Sequence, residues 1–185
     1  QRSALSVHTR SPYSVDMTTG NIRRARPDDV PEILQMVRDL AEYEKALDEA
    51  IATEEQFHAA LFGPQPSVFA HVVEHESDGR RLGGFALWFL NFSTWLGKNG
   101  LYLEDLYVRP ELRGTGYGKA LLSTLAQECI DKDYGRLEWW VLDWNEPALG
   151  FYRSIGAVPM DEWTVQRVTG PALHELAHQM HEAPR

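Results

Sequence analysis

Leu106-Tyr107-Val108-Arg109-Pro110-Glu111-Leu112-Arg113-Gly114-Thr115-Gly116-Tyr117-Gly118-Lys119-Ala120 reads as a strand end, a turn, a glycine-punctuated loop and the start of an apolar helix. Glycines at every second position let main-chain N–H groups converge on one anion. The helix that follows aims its positive end at the same point. Such a nest suits a pyrophosphate, so the stretch predicts a nucleotide-like cofactor. A bare strand-to-helix turn is the competing reading, but a turn needs one glycine and not three.

The spacing narrows the choice. The dinucleotide fingerprint requires G-x-G-x-x-G. Here the run is G-x-G-x-G, preceded by Arg113. A Walker loop requires G-x-x-x-x-G-K-[ST]. Counting back from Gly118-Lys119 puts Arg113 at the first glycine, and Ala120 stands where the metal-binding hydroxyl belongs. The pattern Val108-x-x-x-x-Arg113-Gly114-x-Gly116-x-Gly118-x-Ala120 instead resembles the coenzyme A loop of the GNAT superfamily of N-acetyltransferases. That resemblance implies acetyl-CoA as co-substrate.

With 185 residues, 43% of them hydrophobic and 24% charged, the chain suits one domain with a full core. We expect residues 21–181 to form it and residues 1–20 to be a flexible extension. The net charge of −9 disfavours a nucleic-acid partner and suits a cationic one, although acidity also serves solubility. The single cysteine, Cys129, excludes an internal disulfide and falls on the apolar stripe of a predicted helix, so it reads as a buried thiol. No run has the length of a membrane span, and Gln1 to Asp16 lacks an apolar signal core, so the expected location is the cytosol. No metal site is expected. His174 and His178 share helical spacing but read as solvent-facing.

The periodicity sets an order of elements. A short strand, Ile22 to Ala25, precedes a helix opened by Pro27-Asp28-Asp29 and carried by Val30, Ile33, Leu34, Val37, Leu40 and Ala41. Thr53-Glu54-Glu55-Gln56 is a capping box for a second helix that ends at Gly63-Pro64. Strands follow at Val68–Glu74 and Leu82–Leu90, then a loop over Asn91–Gly100, then a strand at Leu101–Val108. A helix runs from Gly116 to Asp131, a strand from Leu137 to Asp143, and a short helix from Asn145-Glu146-Pro147 to near Gly156. Trp163–Val168 reads as a last strand and Pro171–His181 as a terminal helix. This order resembles the GNAT fold: an α/β protein with a mixed central sheet, flanked by helices, whose two parallel strands splay apart. In that fold the pantetheine arm enters the gap and pairs with exposed strand backbone.

Acetyl transfer to an amine makes three demands. The amine must lose a proton, because an alkylammonium has a pKa near about 10. The thioester oxygen must be stabilised as negative charge develops on it. The departing thiolate must receive a proton. For the last, Tyr152 is the candidate: a phenol of pKa about 10 can protonate a thiolate of pKa about 8.5. For the first, the candidates are Glu104 and Asp105, two carboxylates in an otherwise apolar strand and expensive to bury unpaired. Neighbours on a strand face opposite sides, so one is expected to orient a water that takes the amine proton and the other to hold a cationic group. Backbone N–H groups around Leu106 and Val108 are candidates for the second demand. Asn145 suits either an N-cap or a pantetheine contact. For Tyr152 and Asp105, plain structural roles remain open: packing beside Phe151 for the first, pairing with a nearby base for the second.

Leu40-Ala41-Glu42-Tyr43-Glu44, Trp95-Leu96-Gly97-Lys98, Leu101-Tyr102-Leu103-Glu104-Asp105-Leu106 and Trp144-Asn145-Glu146-Pro147 with Phe151-Tyr152 carry a closer resemblance. These segments are similar to the spermidine/spermine (diamine) N-acetyltransferases and their relatives acting on thialysine. The resemblance covers Ile22 to Ala177. It implies coenzyme A contacts at Leu106, Tyr107 and Val108, at Arg113, Gly114, Thr115, Gly116, Tyr117, Gly118 and Lys119, and at Asn145, Glu146, Pro147 and Ala148. It implies Tyr152 as the acid near sulfur, Glu104 acting on the amine through water, and Asp105 binding the polyamine. Tyr43, Glu44 and Trp95 would help line the amine pocket, and the family is homodimeric with amine sites near the subunit interface. Two other readings stay open: acetylation of a peptide or protein amine, and a non-catalytic acetyl-CoA-binding domain.

Overall fold

The computed structural model describes residues 22–178. They form two compact units that divide after Trp140. The first unit holds a five-stranded sheet in the order β1-β2-β3-β4-β5, made of β1 (Ile22–Arg24), β2 (Phe69–Ser77), β3 (Arg80–Ser93), β4 (Lys98–Val108) and β5 (Leu137–Trp139). The first four strands pair antiparallel, and β4 pairs with β5 in parallel. Helices α1 (Val30–Tyr43) and α2 (Glu54–Phe62) precede β2, and α3 (Tyr117–Asp131) links β4 to β5. The α/β mixed sheet expected from the sequence is the observed one.

Each helix begins where its local chemistry places it. Thr53 caps α2, with Gln56 completing the capping box (N–H of Gln56 to Oγ1, 3.3 Å; N–H of Thr53 to Gln56 Oε1, 2.9 Å). A 3-10 turn at Pro27–Asp29 leads into α1. There the buried Asp29 accepts from the backbone of Arg26 at 2.7 Å and from Arg23 Nη1 at 2.6 Å. Val30, Ile33 and Met36 of α1 pack with Leu61, Val72, Phe85, Leu87 and Tyr107 into one core cluster. On the other face α3 buries Leu121, Leu122, Leu125 and Cys129. Arg24 fixes that face, lying 4.8 Å over the Trp88 ring while pairing with Glu128 of α3 at 2.8 Å. Burial raises the pKa of the Cys129 thiol, which fits a core sulfur.

Three expected elements differ. The loop predicted over Asn91–Gly100 is mostly strand. Phe92 pairs with Asn99 and Ser93 with Lys98, so β3 and β4 close through a tight turn. Gly97 holds that turn at φ 65°, a left-handed angle that favours glycine. The strand predicted over Leu137–Asp143 stops at Trp139, and Trp163–Val168 is not a strand. Apolar alternation marks a segment that can form a ladder, but a strand exists only where a neighbour supplies hydrogen bonds. Among the described residues nothing pairs with either stretch.

The second unit contains α4 (Glu146–Ser154) and α5 (Gly170–His178). Asn145 caps α4 by accepting the Ala148 N–H at 3.3 Å. The last residues of the predicted terminal helix, from 179 onward, and residues 1–21 lie outside the described residues. No described helix is long and apolar enough to cross a membrane.

Candidate active site

The parallel pairing of β4 with β5 covers only Leu101, Tyr102 and Leu103. From Glu104 to Val108 the outer edge of β4 has no partner strand among the described residues. This open edge is the splay expected from the sequence.

A bulge sits where the splay begins. Leu103 lies opposite Trp88 and Asp105 opposite Leu87, so Glu104 is an extra residue with no counterpart on β3. Trp88 belongs to the α3 side and Leu87 to the core cluster under α1. Leu103 and Asp105 therefore face opposite sides, although a regular strand would put them on the same one. The bulge thus suspends strand alternation between Leu103 and Asp105. It also re-aims the backbone. Arg109 donates its N–H to Gly83 O on β3 at 3.0 Å, so alternation turns the N–H groups of Val108 and Leu106 outward to the open edge. Before the bulge the outward donor is odd-numbered, with Leu101 donating to Arg136 O at 2.9 Å.

Asp105 is half-buried, on the α1 face of the sheet. Its carboxyl pKa is pushed up to about 7 by burial, then by the charges of Glu104 and Glu44. Glu44 is the residue that follows α1, and partial burial raises its own pKa. The structure thus brings Glu44, Glu104 and Asp105 into one negative group. Tyr43, the last residue of α1, stands beside it.

The glycine loop follows β4. Gly114 and Gly116 adopt φ of 79° and 96°, left-handed angles that glycine accepts without cost. Gly118 lies inside the first turn of α3 and needs no unusual angle. A Cβ placed on Gly114 would meet nothing within 4 Å among the described residues. Among the described residues no side chain caps α3, which leaves its first N–H groups open to an external acceptor. Thr115 donates its hydroxyl to Leu112 O at 2.6 Å, and both Thr115 and Lys119 are exposed. An uncapped helix start behind two left-handed glycines fits the diphosphate of a coenzyme A thioester. Among the described residues no group of His, Cys, Asp or Glu could hold a metal ion.

Arg113 does not lie alone at the loop. Its guanidinium sits 5.4 Å from the Tyr43 ring centre and 5.6 Å from that of Tyr107, and its Nε donates to Val108 O at 3.1 Å. A cleft of about 410 Å³ runs through this point, lined by Asp39, Glu42, Tyr43, Arg80, Tyr107 and Arg113, among others. Asp39, Glu42 and Arg80 are not among the site residues expected from the sequence. The first two share a helix face with Tyr43 at i, i+3 and i+4, a spacing that could have found them. Arg80 comes from the β2–β3 hairpin and carries no local signal.

Two other expected site residues lie on other elements. Trp95 is at the tip of the β3–β4 hairpin and 89% exposed. Six strand steps separate Leu87 from Ser93, roughly 20 Å, so the structure does not bring Trp95 to Asp105 within one chain. Tyr152 lies on α4, its ring 5.4 Å from that of Phe151. Glu146 on the same helix pairs with Arg153 at 3.6 Å.

Residues 32–157 match the model of the acetyltransferase (GNAT) family. The chain is similar to a thialysine N-epsilon-acetyltransferase of Bos taurus, 39% identical over 164 residues that cover 84% of this chain and 96% of the relative. It is 30% identical to an L-ornithine N5-acetyltransferase of Arabidopsis thaliana, over 84% of this chain and 86% of that one. Among solved structures, an integron cassette protein from the mobile metagenome of V. cholerae aligns with a TM-score of 0.70 and 28% identity, covering 86% of this chain and 98% of its own. The chain belongs to the acetyltransferase (GNAT) family and is an acetyl-transferring enzyme.

Proposed function

We propose that the protein moves an acetyl group from acetyl-CoA to a primary amine of a small di- or polyamine, or of a thialysine-like amino acid. The observation that carries this reading is the bulge at Glu104, which sets two consecutive carboxylates at the mouth of the splay with Glu44 beside them. A negative group of that kind concentrates an alkylammonium.

Acetyl-CoA, when bound, supplies the acetyl thioester. Gly114, Gly116, Gly118 and Lys119 offer backbone N–H groups to its diphosphate, with Arg113, Thr115 and Tyr117 shaping the loop. Leu106, Tyr107 and Val108 present strand backbone to the pantetheine arm, and Asn145, Glu146, Pro147 and Ala148 complete the contacts. Asp105 binds a cationic group of the acceptor. Glu104 orients a water that takes the proton of the reacting amine. The outward N–H groups of Leu106 and Val108 stabilise charge that grows on the carbonyl oxygen. Tyr152 gives its hydroxyl proton to the sulfur.

The names of the relatives favour an amine on an amino-acid side chain, and the acidic group suits a polyamine equally. A homodimer and a cytosolic location belong to the same reading. Trp95, remote from Asp105 in its own chain, then reaches an amine site from the second subunit. The single cysteine leaves no internal disulfide to lose in a reducing compartment.

Thiol release from acetyl-CoA in the presence of thialysine, ornithine, lysine, putrescine or spermidine tests the proposal. Turnover with one or more of these amines supports it. Turnover with peptides alone, or acetyl-CoA binding without turnover on any amine, rejects it.

A further inference from the structure

β2 is irregular where it approaches the cofactor loop. Glu74 lies opposite Leu82 and Ser77 opposite Arg80, so His75 and Glu76 together face the single residue Arg81. A bulge of this kind re-aims a side chain, and here the His75 ring reaches α3. Its Nδ1 and the Tyr117 hydroxyl share a hydrogen bond at 3.0 Å, with the rings edge-to-face at 5.8 Å and 67°.

Tyr117 is the first residue of α3 and 7% exposed. It stands between Gly116 and Gly118, two residues with no side chain to anchor them. The loop's freedom is thus checked at this point by one phenol, and the phenol is held by one imidazole. The imidazole is fixed in turn. A Cβ on Gly83 would lie 2.9 Å from His75 Cβ and 2.8 Å from Leu112 Cδ1, so the missing side chain at position 83 lets both residues pack tightly there.

We propose that His75 is a positioning residue for the cofactor: through the Tyr117 hydroxyl it sets the direction of the first N–H groups of α3. The inference rests on the reading that the glycine loop holds the diphosphate of acetyl-CoA. Pre-aimed donors bind an anion without first having to be ordered. Loss of the anchor therefore weakens the cofactor and leaves the amine chemistry alone.

The test is steady-state kinetics on the full chain, with acetyl-CoA and then the amine varied, for Tyr117→Phe, His75→Leu, His75→Asn, the Tyr117→Phe/His75→Leu double variant and Gly116→Ala. Tyr117→Phe removes one oxygen and is the variant least able to disturb folding. It and His75→Leu are each expected to raise the acetyl-CoA KM by about three- to tenfold, the range of one hydrogen bond, with kcat and amine KM within about twofold of wild type. The double variant is expected to be no worse than either single one, because both remove one interaction. His75→Asn, which keeps a polar partner, is expected to recover part of the loss. A lowered melting temperature with unchanged acetyl-CoA KM in Tyr117→Phe overturns the inference and reduces the pair to packing. Gly116→Ala separates the two layers. If it raises the acetyl-CoA KM while Tyr117→Phe does not, the loop assignment stands and the inference fails. If it leaves that KM unchanged, the loop assignment fails and the inference with it.

Discussion

The charge of Glu44, just past the end of α1, reaches Asp105 on the open C-terminal part of β4 and helps hold its carboxyl at a pKa of about 7. Burial is the larger cause and Glu104 the second. The coupling joins the first helix to the splayed strand and gives the site a titration near neutrality.

In the free enzyme an ionised Asp105 attracts the amine and a protonated one does not. The kcat/KM for amine should therefore rise with pH through about 7. Glu44→Gln removes one of the charges that raise this pKa, so the rise should move to lower pH. Asp105→Asn should abolish the rise and increase amine KM by about tenfold or more. A pH–rate series on the three proteins checks this, and an unchanged profile in Glu44→Gln would argue against the coupling.

Stability should move the opposite way. A carboxyl whose folded pKa is raised from 3.8 to about 7 binds its proton more tightly in the native state. Its stabilising contribution is full below about pH 4 and is lost as pH rises through about 7. Asp105→Asn should gain about 1–3 kcal/mol over wild type at pH 8 and almost nothing at pH 4. Thermal melts at the two pH values give the comparison, and equal shifts at both would exclude a charge effect.

Tyr152→Phe removes a proton and almost no volume. It should lower kcat by about tenfold to a thousandfold and leave acetyl-CoA affinity within about twofold. Single-turnover rates beside a binding titration separate the two quantities. A weaker acetyl-CoA with normal kcat would make Tyr152 a contact and not an acid.

Arg113→Ala removes a guanidinium that lies over Tyr43 and Tyr107. If Arg113 also meets phosphate, the acetyl-CoA KM should rise severalfold and depend less on salt than in wild type. Ionic-strength series on both proteins decide the matter, and parallel slopes would confine Arg113 to the aromatic stack.

Much of the fold was legible in local chemistry. The capping box at Thr53, the apolar stripe of α1 and the glycine run each announce themselves within a few residues. The bulge at Glu104 did not, because it is a mismatch of register between two strands and neither strand carries it alone. The coupling of Glu44 to Asp105 and the hold of His75 on Tyr117 were hidden for the same reason: each joins segments that meet only after folding. Trp95 shows the reverse. Its motif is recognisable in sequence, yet hairpin geometry carries it about 20 Å from the carboxylates of its own chain. The over-long strand at Leu137 and the absent one at Trp163 reflect a limit of periodicity, which records a preference and not a partner.

The proposed chemistry turns on the acidic pair of β4, and the decisive assay is thiol release with thialysine and spermidine by wild type, Glu104→Gln and Asp105→Asn. Wild type should turn over, and each variant should lose at least about tenfold in kcat/KM for amine with acetyl-CoA affinity preserved. Variants as active as wild type would contradict that chemistry.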